Sequence, residues 1–324
     1  MIVLFLKITL AALAVLFVTS VALSAYLFRF ACRRDGRGNE DENLERLKKS
    51  DLARFAPAIA EGLAAFRAAK KEDVYITSRD GLRLHGYFLP REDAKGTLIM
   101  VHGWRSRVAY DFSVIWQKYR NMGYNLLGIE QRAIGASEGK YICFGVKEQL
   151  DLIDWVKYIN GRCGEDSPVI FSGISMGSST VMFAIGNEEL PGNVIGAIAD
   201  CGFTSAHDEF CHLLRTSYHL PRFPFLYIAN AMAKIFAGFT FNECNSTKTL
   251  KNAKVPVLFI HGEADGFVPI EFTKRSYEAC ASRCELFTVK DADHGMSYLV
   301  DRENGDRRLT AFLNSLHTQN ECES

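Results

Sequence analysis

The chain has 324 residues, with 38 basic and 38 acidic side chains in balance, a length that holds one large α/β domain or two ordinary ones. Even charge and the lack of a basic tract interleaved with aromatics argue against nucleic acid as a partner. Nine cysteines lie scattered without a C-x-x-C pair, which argues against a disulfide framework and against a zinc site.

Ile8 to Phe28 is an uncharged apolar run long enough to cross a bilayer as one helix. Ser20-Val21-Ala22 would pass as a cleavage site. Apolarity continues through Leu27 and Phe28, however, which favours an uncleaved anchor. Arg29, Arg33, Arg34 and Arg37 follow the run and Lys7 precedes it. The positive-inside rule then places the large domain in the cytoplasm, although a short leading tail also suits the opposite topology. Asp35 to Asn43 reads as a polar linker, and Leu44 to Lys70 carries apolar residues at helical spacing. That amphipathic helix packs on the main domain or lies on lipid, packing being the plainer case. The expected division is an anchor over residues 1–34, linker and helix over 35–72, an α/β domain over 73–318 and a tail over 319–324.

From Asp73 the period changes to two around the turn Arg79-Asp80-Gly81, a hairpin signal. Thr97 to Val101 is a continuous apolar run, as in a strand covered on both faces. The pattern then predicts a helix over Phe112–Met122, a strand over Tyr124–Ile129 and a helix over Val146–Asn160. Strands follow at Val169–Phe171, Val194–Ala199, Val255–Ile260 and Leu286–Val289, with helices at Phe272–Ala281 and Arg307–His317. Alternating strands and helices predict an α/β fold with a mostly parallel sheet after an antiparallel start. Residues 201–254 break the rhythm with many aromatic rings and two prolines, Pro221 and Pro224. This stretch reads as extra core or as a helical lid lined with apolar surface.

Gly173-Ile174-Ser175-Met176-Gly177 sits between a buried strand and a helix and matches G-x-S-x-G. Ser175 must occupy a strained turn with its hydroxyl exposed, and the flanking glycines remove side chains that would collide. A serine hydroxyl needs a base, and the base needs an orienting acid. Asp265 follows the Val255–Ile260 strand, and His294 follows the Leu286–Val289 strand. Asp200, Asp291 and Asp293 are other candidate acids, and Asp265 is preferred. Two N–H donors are required for an oxyanion. Met176 supplies one, and the loop His102-Gly103-Trp104 supplies the other from the Trp104 backbone. His102 is assigned a structural role. Phe203 and Phe267 are candidates to line a substrate pocket.

His102-Gly103, Gly173 to Gly177, Asp265 to Pro269 and Asp293-His294-Gly295 occur in the order seen in α/β-hydrolases. The chain resembles the bacterial membrane-anchored branch labelled serine aminopeptidase-like or esterase-like, over roughly Asp73 to His317. Asp200 to Ser205 and Gln131 to Gly139 add to the likeness. The resemblance implies a Ser175–His294–Asp265 triad with Trp104 and Met176 as oxyanion donors, and no metal or organic cofactor. One departure is Ala133, where the related loops carry glycine, which predicts a different backbone there. The expected activity is hydrolysis of a carboxylic ester, with lipid esters among the candidates. A peptidase, a thioesterase or a silent membrane-bound interaction module are the alternatives. Oligomeric state is not legible.

Overall fold

The computed structural model describes residues 1–34, 36 and 38–323, with side chains through residue 318. Arg37, counted in the charge asymmetry, and Asp35, the start of the expected linker, lie outside the described residues, as does Ser324. The chain opens with α1 (Ile2–Cys32), a helix of 31 residues, long and apolar enough to cross a membrane. Helices α2 (Glu40–Lys48) and α3 (Ala56–Ala68) follow, then the hairpin β1 (Glu72–Thr77) and β2 (Arg83–Leu89) and strand β3 (Thr97–Val101). Helices α4 (Val108–Asp111) and α5 (Trp116–Asn121) lead to β4 (Asn125–Ile129), α6 (Glu148–Cys163), β5 (Val169–Ile174), α7 (Met176–Ala184) and β6 (Val194–Asp200).

The expected insertion holds α8 (Ala206–Thr216), α9 (Phe225–Met232) and α10 (Ser246–Thr249), and a π-helical turn, Ala233–Ala237, extends α9. The domain closes with β7 (Val257–Gly262), α11 (Ile270–Ala279), β8 (Cys284–Val289), α12 (Ser297–Val300) and α13 (Arg302–Glu323). The closing helix thus runs through most of the expected tail.

The eight strands form one sheet in the order β1-β2-β4-β3-β5-β6-β7-β8. β1 and β2 pair antiparallel, β2 joins β4 antiparallel, and every later pairing is parallel. Side chains alternate across the sheet, so β3 sends Ile99 and Val101 to one core and Leu98 and Met100 to the other. The first core is covered by α6 and α7, the second by α3, α5 and α13. Both faces are buried, which is why the central strands read as unbroken apolar runs.

Two expectations need correction. The helix predicted over Leu44–Lys70 is two helices, divided after Lys48 by a turn. Leu44, Leu47, Ile59, Leu63 and Phe66 are all buried, so its apolar stripe faces protein. Of the helix predicted over Phe112–Met122 only Trp116–Asn121 is α-helical, α4 ending before it; in between, the Ser113 carbonyl comes up against Gly62 of α3, where a Cβ would lie 2.1 Å from it. Ala133, where the related loops carry glycine, holds the left-handed conformation, φ +63°, that glycine adopts without strain.

Candidate active site

Ser175 stands between β5 and α7 with φ +57° and ψ −120°, a conformation that non-glycine residues adopt only under strain. A Cβ at 173 would lie 2.4 Å from the Gly177 carbonyl oxygen, and one at 177 would lie 2.0 Å from that of Val101. Both positions therefore require glycine. The turn presents the Ser175 hydroxyl above the C-terminal edge of the sheet, beside the first N–H groups of α7, which have no partner inside the helix.

The loops after β7 and β8 bring two more side chains to it. His294 Nε2 lies 2.8 Å from Ser175 Oγ, and His294 Nδ1 lies 2.7 Å from Asp265 Oδ2. The other Asp265 oxygen accepts the N–H groups of Phe267 and Val268 at 2.9 and 2.8 Å. Burial works against ionisation of Asp265, but hydrogen bonds from His261 and His294 and from the Val268 N–H outweigh it and hold the carboxyl well below its usual range. For His294, burial opposes the charged ring, and the hydrogen bond and charge of Asp265 overcome that, so its pKa is raised. An ionised Asp265 fixes the proton on Nδ1, leaving the Nε2 lone pair for the serine hydroxyl.

The other acids are placed elsewhere. Both ring nitrogens of His294 are engaged, leaving none for Asp200, whose carboxyl burial pushes up to about 6. Asp293 accepts the backbone N–H of His294 at 2.7 Å and does not meet its ring. Cys201 lies with Asp265 and His294 in a cluster of metal-binding residue types. Burial pushes its thiol pKa far up, and with both imidazole nitrogens committed the set does not fit a metal.

His102 is fully buried, its Nδ1 bonded to the Gly103 carbonyl at 2.7 Å and its Nε2 accepting the Gln131 N–H at 3.1 Å. Burial lowers its pKa to about 4, so the ring is a neutral brace for the loop after β3. That loop runs against the serine, since a Cβ on Gly103 would lie 3.2 Å from the Ser175 Cβ.

Three residues that the sequence did not single out lie in or beside the site. Asp111, half-buried, accepts the Gly103 N–H at 2.7 Å and the Ser106 hydroxyl at 2.5 Å. This commits the Gly103 N–H and leaves Trp104 as the loop's candidate donor. His261 sits under Asp265, its Nε2 2.9 Å from the Val268 carbonyl and 3.2 Å from Asp265 Oδ2. Glu209 is buried with neither carboxyl oxygen hydrogen-bonded. A strand-end histidine, an acid in a short helix and an acid in an insertion carry no sequence signal for these roles.

Ser175, Trp104 and Phe267 lie at the meeting of two cavities. The larger, about 240 Å³, is walled by α1, α8 and α9 and by Phe203 and Phe241. The smaller, about 200 Å³, runs past His294, Met296 and Leu299. Phe203 thus lines one cavity, and Phe267, stacked edge-on to His294 with ring centroids 5.1 Å apart, lines both.

The sheet order, the strained serine turn and the three converging loops are those of the α/β-hydrolase class, and this chain has the α/β-hydrolase fold. No family profile matches it. It is 28% identical to the uncharacterized protein YqkD of Bacillus subtilis, covering 79% of this chain and 84% of that protein. It is 27% identical to the alpha/beta hydrolase domain-containing protein WAV2 of Arabidopsis thaliana, covering 69% and 71%. Among solved structures it is similar to the Pyrococcus furiosus esterase Pf2001, with a TM-score of 0.62 and 25% identity over 78% of this chain and 94% of that one.

Proposed function

We propose that this hydrolase is a membrane-tethered serine esterase working through an acyl-enzyme. The reading rests above all on the continuous chain from Ser175 Oγ through the His294 ring to Asp265, 2.8 and 2.7 Å. His294 Nε2 takes the serine proton as Oγ attacks the ester carbonyl. The developing oxyanion is met by the backbone N–H groups of Met176 and Trp104, and by the partial positive charge at the start of α7. His294 returns the proton to the leaving alkoxide. Water, deprotonated by the same nitrogen, then releases the acid and restores Ser175.

The two cavities flanking Ser175 suit an acyl group on one side and an alcohol on the other. The likeness to the Pyrococcus furiosus esterase supports ester chemistry, α1 supports a single membrane span, and Arg29, Arg33 and Arg34 at its end support a cytoplasmic side for the domain. The test is labelling with a fluorophosphonate, which Ser175→Ala abolishes, followed by a panel of esters, thioesters and aminoacyl amides. No labelling of the native chain refutes the nucleophile. Labelling with turnover confined to amides or thioesters refutes the esterase.

A further inference from the structure

We propose that α1 and α9 form one membrane-embedded pair, and that the larger cavity takes the acyl chain of a lipid ester sideways from the bilayer. This rests on the reading of Ser175 as nucleophile and α1 as a span.

The first support is depth. α1 packs directly on α9, and the buried positions of α1 are Ser20, Ser24, Phe28 and Cys32, one residue per turn. On the partner side the buried stripe continues through Ala229, Ala233 and Ala237. Small residues on both helices let the backbones approach closely, as in lipid-embedded helix pairs. The serine hydroxyls are satisfied inside α1, Ser20 to the Leu16 carbonyl and Ser24 to that of Ser20, each at 2.7 Å. From Ser20 to Phe28 the helix rises about 12 Å, most of a hydrocarbon leaflet about 15 Å deep. A helix packed there lies inside the leaflet when α1 spans.

The second support is the outer face of the same element. Phe223, Tyr227, Ile235 and Phe236 are 73, 64, 74 and 60% exposed. Tyr227 lies on α9, Ile235 and Phe236 on the π-helical turn that extends it, and Phe223 in the turn that leads into it. The apolar helix Phe225–Ala237 is too short to span, so it suits a helix lying at membrane depth. Phe236 also touches the α1 ring of Phe28, centroids 6.3 Å apart, which joins this face to that of the anchor.

The third support is the cavity wall. Leu27, Phe28 and Ala31 of α1 and Leu226 and Ala229 of α9 line the cavity that contains Ser175. Trp104 of the expected oxyanion loop donates its indole N–H to the Ala31 carbonyl at 2.8 Å, and the Arg105 guanidinium donates to the Phe30 carbonyl. The anchor is thus a wall of the pocket, and an acyl chain between α1 and α9 reaches the serine without crossing water.

The full chain is reconstituted in phosphatidylcholine vesicles, and fluorophosphonate labelling is measured first. Failure of labelling refutes the hydrolase reading by itself, whatever the two variants show. Leu27→Trp fills the cavity from the anchor side. It should slow hydrolysis of umbelliferyl oleate by about tenfold or more and that of umbelliferyl acetate by far less. An equal change in both esters overturns the pocket assignment. Tyr227→Trp adds a reporter on α9 that needs no catalysis. Its emission, taken against the native chain, should be blue-shifted and quenched by phosphatidylcholine brominated in its acyl chains, and unquenched emission typical of water overturns the embedded pair.

Discussion

The indole of Trp104 is hydrogen-bonded to the carbonyl of Ala31 at 2.8 Å, tying the loop beside the serine to the last turn of α1. Trp104→Phe keeps the backbone N–H and removes this tie. A hydrogen bond of this kind contributes about 1 kcal/mol. If the tie holds the donor in place, kcat on a short ester should fall roughly fivefold with KM little changed. A change confined to KM would show that the indole serves only as cavity wall.

Asp265 and Asp200 make opposite predictions. Asp265→Asn removes the carboxylate that fixes the His294 tautomer and should lower kcat by roughly a thousandfold or more. Asp200→Asn removes a buried acid that does not bond the ring, and kcat should fall by far less. Comparable losses in the two variants would reassign the orienting acid.

The pH profile follows from His294. In the proposed mechanism the neutral ring is the active base, and its pKa is raised because Asp265 overcomes the effect of burial. Activity should therefore rise with pH through a midpoint above the ordinary imidazole value of about 6.5. In Asp265→Asn the residual activity should have its midpoint moved down. A native midpoint below the ordinary value would contradict the charge arrangement.

Glu209 is a source of pH-dependent instability. Burial without a partner raises its pKa well above the usual carboxylate range. The folded state therefore holds its proton more tightly than the unfolded chain, and stability declines as pH rises from about 4.3 toward the folded value. Glu209→Gln abolishes this loss. Its melting temperature should exceed that of the native protein at pH near 8 and match it more closely at acid pH, as thermal unfolding in detergent would read. A uniform shift at all pH values would place the effect in packing.

Ala133 holds φ +63°, which costs a residue with a Cβ about 1–2 kcal/mol. Glycine removes that strain but adds about 0.4–1 kcal/mol of unfolded-state freedom. The strain is the larger effect, so Ala133→Gly should stabilise by roughly 0.5–1 kcal/mol, measured by denaturant midpoint. Destabilisation would mean that the Cβ makes packing contacts worth more than the strain.

The strands were readable because both faces of the sheet are covered, leaving runs such as Thr97–Val101 with no polar interruption. Ser175 was readable because two steric collisions force glycine at fixed offsets. Asp265 and His294 were readable as loop residues directly after strands, and the structure brings both to the serine. Asp111 was not, since its link to Gly103 spans a loop whose path is set by packing. Neither was the break between α2 and α3, because their apolar residues keep helical spacing across a turn that only tertiary contact selects. The left-handed backbone at Ala133 was not legible either, because tertiary constraint there exceeds local preference.

The stretch leaving α1 carries a last consequence. Arg34 donates to the carbonyls of Ser137 and Gly135, its own N–H meets the Lys140 carbonyl, and the Cys32 carbonyl accepts from Ile142. With α1 as the proposed span, a body stitched on at so many points cannot swivel over the lipid surface. The elevation and tilt of the catalytic centre relative to the bilayer are then set by the protein itself, and lengthening the stalk by a few residues would act as a lesion in the enzyme where in a tethered one it would merely extend its reach.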